Sequence, residues 1–231
     1  MKRVKKIDFG GTESPFGGQN NISESDDSLK IVPDDSELLK SCRTGNMAAL
    51  GQLIEKYQHR LFNAIFRVVG HHEDALELTQ EAFVRATKGL KNFRGQSGFY
   101  TWVFRIGINL AINHRQRSRH VAFTSLQPNE DAVGHQADGL AEMLESPDLL
   151  PQQQAELREE HQRVLQGMAE MDPTARAIIV LRDIEGLGYG EIAGILEIPS
   201  GTVKSRICRA RKALREKLTK QEKLADPKGN G

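Results

Sequence analysis

Gly188-Tyr-Gly-Glu-Ile-Ala-Gly-Ile-Leu-Glu-Ile-Pro-Ser-Gly-Thr-Val-Lys-Ser-Arg-Ile-Cys-Arg-Ala-Arg-Lys-Ala-Leu214 decides the fold. It reads as two helices with a tight break between them. The first spans Tyr189 to Leu196, with Ile192, Ala193 and Leu196 at helical spacing. Glu197-Ile198-Pro199-Ser200 breaks it, because proline cannot continue a helix but suits the opening turn of the next. The second helix runs to Leu214 or beyond. Val203, Ile207, Ala210 and Leu214 make one apolar stripe for a core. Thr202, Ser205, Arg206 and Arg209 fall on the other side, where short polar groups and guanidinium forks suit base edges and phosphates. From Ser200 to Lys223 there are nine Lys or Arg against two acids. A solvated basic helix would show the same charge. A short helix, a proline turn and a basic amphipathic helix in succession point instead to a helix-turn-helix that docks on DNA.

Working outward, the chain carries strongly segregated charge. Its net charge of +1 over 231 residues conceals an acid-free stretch from Ala82 to Asn129. That stretch holds Arg85, Lys88, Lys91, Arg94, Arg105, Arg115, Arg117 and Arg119, interleaved with Phe93, Phe99, Tyr100, Trp102 and Phe104. Basic groups mixed with rings fit single-stranded nucleic acid, with cations on the backbone and rings under splayed bases. Some of these rings should instead be core. Phe104 is expected inside, and Tyr100 and Trp102, beside the glycine loop 89–98, partly exposed. Val103, Ile106 and Leu110 form a buried stripe, while Arg105, Asn109 and Asn113 form a polar row.

Ahead of this stretch, helices are expected from near Glu37 behind Asp35-Ser36, from Met47 to Val69 ending at Gly70, and from about Glu73 to Gly89. After it, residues 121–160 hold nine acids against the single base Arg158, with Pro128, Pro147 and Pro151. This reads as a flexible acidic linker. A helix from about Ala155 to Met171 and another opened by Asp172-Pro173 lead back to the starting motif.

Other features narrow the class. Cys42 and Cys208 are the only cysteines and form no C-x-x-C pair, so neither a disulfide framework nor a zinc site is suggested. No cofactor-binding pattern is present. His71-His72-Glu73 could suggest a metal-dependent enzyme, but neighbouring helical residues diverge and no ligand follows at i+4, so a polar turn is the expected role. No apolar run reaches bilayer length, and the basic start Met1-Lys-Arg-Val-Lys-Lys is not followed by an apolar stretch. A cytoplasmic chain without membrane insertion is expected.

Three ordered blocks then identify a resemblance: Asp74-x3-Leu78-Thr-Gln-Glu-Ala-Phe83, Phe93-Arg-Gly-Gln-Ser-Gly-Phe-Tyr-Thr-Trp-Val-Phe-Arg-Ile-Gly-Ile-Asn109, and Gly188-Tyr-Gly-Glu-Ile-Ala with Pro199-Ser-Gly-Thr-Val-Lys-Ser-Arg206. Together they resemble an extracytoplasmic-function (ECF) sigma factor of bacterial RNA polymerase, of the envelope-stress type. The resemblance implies an all-α fold of two small domains, sigma region 2 over residues 34–120 and region 4 over 161–220. The linker 121–160 joins them, a disordered extension (1–33) precedes them and a disordered tail (221–231) follows.

It also implies roles. Asp74, Leu78, Gln80, Glu81, Val84 and Arg85 would bind the clamp helices of core polymerase, with region 4 on the flap. Lys91, Asn92, Phe93, Arg94, Gln96, Ser97, Phe99, Tyr100, Trp102, Arg105, Asn109, Asn113, Arg115 and Arg117 would recognise and melt the minus-ten element, where a base flips into a pocket. Ser200, Thr202, Lys204, Ser205, Arg206, Arg209 and Lys212 would read the duplex minus-thirty-five element. An anti-sigma factor would be a further partner and could hold the chain at the inner membrane. No catalysis and no cofactor are implied. The rival reading is a helix-turn-helix regulator with a helical sensor domain, which leaves the acid-free aromatic stretch without a role. One departure stands out: Glu197 occupies a turn position where glycine, with its tolerance of left-handed backbone, is common.

Overall fold

The computed structural model describes residues 35–93, 95, 97–124 and 151–225. Arg94, Gln96, the extension read over 1–33, the middle of the acidic segment and the last six residues lie outside the described residues. All elements among the described residues are helical. In chain order they are α1 (Asp35–Arg43), α2 (Met47–Val69), α3 (His72–Gly89), a 3₁₀ turn (Leu90–Asn92) and α4 (Phe99–Thr124). Then come α5 (Pro151–Ala169), α6 (Pro173–Ile179), a π turn (Val180–Ile184), α7 (Tyr189–Leu196) and α8 (Ser200–Ala225).

Local chemistry fixes the boundaries. Asn46 caps α2, its side-chain oxygen accepting from the Ala48 and Ala49 amides at 3.0 and 3.3 Å. Gly70 ends α2 at φ 84°, its amide donating to Phe66 O at 2.7 Å. Asp172 caps α6 through the Thr174 and Ala175 amides, with Pro173 in the first turn. Two expectations need correction. Pro151 opens a helix rather than breaking one, since a first-turn proline has no amide to lose, so α5 takes in the end of the acidic segment. And α8 continues through Ala225, past the residue 220 at which a tail was expected.

The helices α2, α3 and α4 form the N-terminal bundle, with α1 laid against α2. Leu53, Leu61, Ile65, Phe104 and Ile108 are fully buried at its centre. Gly107 lets α4 approach α2 closely: a Cβ there would sit 2.9 Å from Leu61 Cδ1 and 3.0 Å from Ile65 Cδ1. In the C-terminal bundle α8 packs on α5, α6 and α7. Gly167 of α5 serves the same purpose, since a Cβ would lie 3.1 Å from Leu218 and 3.3 Å from Leu214 of α8. The two bundles share one continuous apolar core, with α4 seated against α6 and α7 and α2 against α6.

Candidate nucleic-acid interface

The helix α8 is built as its spacing requires. Val203, Ile207, Ala210 and Leu214 are each no more than 4% exposed. Ser200, Lys204, Ser205, Arg209 and Lys212 face solvent, with Thr202 and Arg206 half-buried. The hydroxyls of Thr202 and Ser205 donate back to Pro199 O and Thr202 O at 2.7 and 2.9 Å, which leaves their oxygens as acceptors outward. Arg206 and Arg209 line a cleft of about 420 Å³ whose opposite wall is the cap residue Asp172 with Thr174, Ala175 and Ile178 of α6. Cys208 is exposed on the same helix.

What holds α8 in place is the π turn. It buries Asp183, whose carboxylate takes Arg211 of α8 through both Nε (3.2 Å) and Nη2. A forked pair of this kind fixes direction as well as distance. Between α7 and α8, Glu197 adopts φ 54° and ψ 44°, so the left-handed turn residue is indeed a glutamate.

On α4 the rings divide between two tasks. Phe104 is buried and Tyr100 and Trp102 are half-buried, as expected. Phe93 and Phe99 are also buried, at 8% and 1% exposed. They are not available to a strand and instead brace Trp102, with centroids 4.7 and 5.9 Å from it. Arg105 is half-buried, and Asn92, Asn113 and Arg117 are exposed; Ser97 is half-buried. On α3, Gln80, Val84 and Arg85 face out, with Arg85 Nε donating to Glu81 at 2.9 Å. Leu78 is a correction: it is 7% exposed and belongs to the core, while Leu76, which the sequence reading left out of the site, is 47% exposed. Asp74 lies between His71 and His114 at 3.8 and 3.9 Å. His71 stands just ahead of the first turn of α3, and the His72 ring meets Phe62 and Phe66 edge-on, which gives His72 a packing role.

The seam between the bundles is polar at its edges. Glu185, just after the π turn, accepts from Arg60 Nε at 2.7 Å and from the Tyr100 hydroxyl at 3.1 Å. The Arg60 guanidinium also lies 4.5 Å over the Tyr100 ring. Burial, then the Glu185 charge, pushes the Tyr100 phenol well above its usual range. Thr101 Oγ1 reaches Glu191 at 3.4 Å, and Asn109 Nδ2 donates to Ile195 O at 3.3 Å.

Further along α4 the donors are arginines and the acceptors are main-chain carbonyls at two helix ends. Arg115 donates to Val69 O and Ala169 O, and Arg119 to Glu170 O. Arg176 of α6, 1% exposed, donates to Arg67 O. Carbonyls in a last helical turn lack intrahelical partners and carry partial negative charge, which suits cations. The match is incomplete, because Arg176 Nη1 and Arg115 Nε are buried without a hydrogen bond. Burial, with Arg115 and Arg119 nearby, pushes Arg176 down to about 9.

The outward basic face on a helix-turn-helix, joined to a second bundle with a ring-braced basic helix, defines a two-part DNA-binding protein. Comparison with known families is specific. Residues 53–121 match Sigma-70 region 2, and residues 161–214 match Sigma-70, region 4. The chain is 37% identical over 185 residues to RNA polymerase sigma-H factor of Pseudomonas aeruginosa, covering 80% of this chain and 93% of that one. It is 34% identical over 184 residues to ECF RNA polymerase sigma-E factor of Escherichia coli K12, covering 80% and 94%. Among solved structures, CnrH in complex with the cytosolic domain of CnrY matches with TM-score 0.57 and 25% identity over 80% of this chain and 97% of that one. The sigma factor RpoE in complex with the anti-sigma factor NepR, from Bartonella quintana, shares the fold at TM-score 0.51 and 22% identity, over 73% and 96%. The chain belongs to the ECF group of the sigma-70 family and is an RNA polymerase sigma factor.

Proposed function

We propose that the chain carries out promoter recognition as a non-catalytic factor, with its tasks divided by residue. Residues 34–120 act as the polymerase-binding and strand-opening domain, and residues 161–220 as the duplex-reading domain. On α3, Leu76, Gln80, Glu81, Val84 and Arg85 grip the clamp helices of core polymerase, while Leu78 belongs to the core. Leu76 and Val84, 47% and 50% exposed on the same helix as these polar groups, support this reading by offering apolar contacts to a partner helix. On α4, Tyr100, Trp102, Arg105, Asn109, Asn113, Arg115 and Arg117 hold the opened minus-ten strand, and Phe93 and Phe99 position Trp102. The α8 residues Ser200, Thr202, Lys204, Ser205, Arg206, Arg209 and Lys212 read the upstream duplex. The chain works in the cytoplasm on a stress or envelope regulon, and an anti-sigma factor restrains it, at the inner membrane where that factor is membrane-bound.

The observation that carries the duplex-reading assignment is the two-faced build of α8: four stripe residues buried and Lys204, Ser205 and Arg209 exposed. Run-off transcription with core polymerase tests it. Arg206→Ala should lower initiation at promoters with an intact upstream element and leave promoters lacking that element unchanged. Equal loss on every upstream sequence would make Arg206 a phosphate contact only. Asn109→Ala should impair strand opening more than polymerase recruitment, read by permanganate reactivity of unpaired thymines.

A further inference from the structure

Trp102 is seated against Gly89, Phe93 and Phe99. A Cβ on Gly89 would lie 3.1 Å from Trp102 Cζ2, so the indole rests on the end of α3. The Phe99 and Phe93 rings stand 5.9 and 4.7 Å from it, centroid to centroid. Gly89 and Phe99 belong to helices. Phe93 does not. It follows the 3₁₀ turn in extended backbone, and its amide makes one main-chain bond, to Leu90 O at 3.1 Å. Its carbonyl accepts from Nη2 of Arg43, the last residue of α1, fifty positions earlier. We propose that Arg43 is a positioning residue for Trp102: it fixes Phe93, Phe93 fixes the indole, and the indole is held at the angle that receives the opened minus-ten strand. The inference rests on the proposed role of α4. It adds to that role α1, which lies ahead of the span 53–121 matched to Sigma-70 region 2.

Three observations carry it. The bond is of the charge-assisted kind, and because a peptide is planar, holding the Phe93 carbonyl holds the whole peptide group. Next, α1 is pinned at both ends and can serve as an anchor. At its C-terminal end the Gly45 amide donates to Cys42 O at 3.0 Å and the Asn46 amide to Ser41 O at 3.1 Å, and Asn46 then caps α2. At its N-terminal end the Asp35 carboxylate accepts from Lys56 Nζ at 2.6 Å and from the Tyr57 hydroxyl. Leu38, between them, is buried. Finally, the Tyr57 ring lies 5.8 Å from Phe99 and 5.6 Å from Tyr100, so the two ends of α1 bear on one cluster of rings. Arg43 is itself exposed, so removing its donor loosens the tether and leaves the apolar core intact.

The full-length chain tests this, because Trp102 is its only tryptophan. Arg43→Met keeps the apolar stem and removes the donor. Its indole emission should move several nanometres to longer wavelength as Phe93 loosens and water reaches the ring. Arg43→Lys, which keeps a cationic donor, should recover most of that shift. With core polymerase on a promoter, Arg43→Met should lower permanganate reactivity of minus-ten thymines about fivefold, the effect of one hydrogen bond, at unchanged recruitment. If Arg43→Met does not fold, the same readouts on Asp35→Ala, which frees the other end of α1, decide the matter. Unchanged emission overturns the proposal. So does a fall in recruitment equal to the fall in opening, which would make Arg43 a stability residue only. A lysine-restored emission shift with opening unaffected would leave the seating of Trp102 in place and count against the strand role of α4 instead.

Discussion

Arg60 and Glu185, 125 residues apart, are joined twice: Arg60 Nε donates to Glu185 Oε2 at 2.7 Å and Arg60 Nη2 donates to the Glu185 carbonyl at 3.0 Å. The two sides of the pair are unequal. The arginine side chain is 51% exposed and the glutamate 5%. Losing the glutamate leaves a cation that water can solvate, whereas losing the arginine leaves a buried carboxylate supported by Tyr100. Arg60→Ala should therefore cost about 2 kcal/mol, more than Glu185→Ala. The double variant should recover part of the loss. Urea denaturation of the four proteins in a double-mutant cycle measures this, and additive effects would show the pair to be uncoupled.

Gly107 is the contact point of α4 on α2. Gly107→Ala should destabilise the chain by about 2 kcal/mol, because its methyl group would press on Leu61 and Ile65 within a close-packed core. Gly51→Ala, at a helical position with nothing near the new methyl, should be neutral or slightly stabilising. Thermal unfolding of both variants supplies the contrast. Equal shifts would mean that the two helices adjust freely.

Glu197 holds a left-handed backbone at the elbow of the helix-turn-helix. Relieving it with glycine should stabilise the chain by about 1 kcal/mol, read from the urea midpoint. Because Glu197 is exposed beside the basic helix, loss of its charge should also raise duplex affinity modestly at low salt. A loss of stability would show that the glutamate side chain makes a contribution larger than the backbone strain.

Two phenols give the chain an alkaline limit. Burial, then the hydrogen bond to Asp35, raises Tyr57 from 10.0 to about 12. Between those pH values the native chain keeps a proton that the unfolded chain has released. The stabilisation is thus fully present below pH 10 and is lost as pH rises through the folded value. Tyr100, raised by burial and Glu185, acts in the same sense at higher pH. Tyr57→Phe should flatten the fall in unfolding midpoint over this window. An unchanged slope would place its cause elsewhere.

The sequence was most legible where one helix meets one core. The stripe Val203, Ile207, Ala210, Leu214 could be read at once because period 3.6 alone decides it. Gly70, Asp172 and Pro173 were readable because caps act locally. On α3 the apolar residues cover so much of the circumference that spacing could not choose the buried face, and Leu76 and Leu78 were exchanged. Phe93 and Phe99 carried the same ring chemistry as Trp102, and only the folding of the glycine loop decided which of them faced inward. Nothing local announced the seam. Its partners lie from about fifty to 125 residues apart, and its centre is Arg176, a charged residue that no apolar pattern would place in a core.

The length of α8 couples two places that otherwise have nothing in common. One unbroken helix of 26 residues begins at Ser200 and rests on Gly167 at Leu218. That span is about 27 Å, so a tilt of about 7° at the Gly167 fulcrum carries the Ser200 tip through about 3.4 Å, the spacing of one base-pair step. The last carbonyl of α5, at Ala169 two residues beyond the fulcrum, and the Glu170 carbonyl after it are those that hold Arg115 and Arg119. The packing that seats the C-terminal part of α8 and the carbonyls that hold α4 therefore lie within three residues of one another.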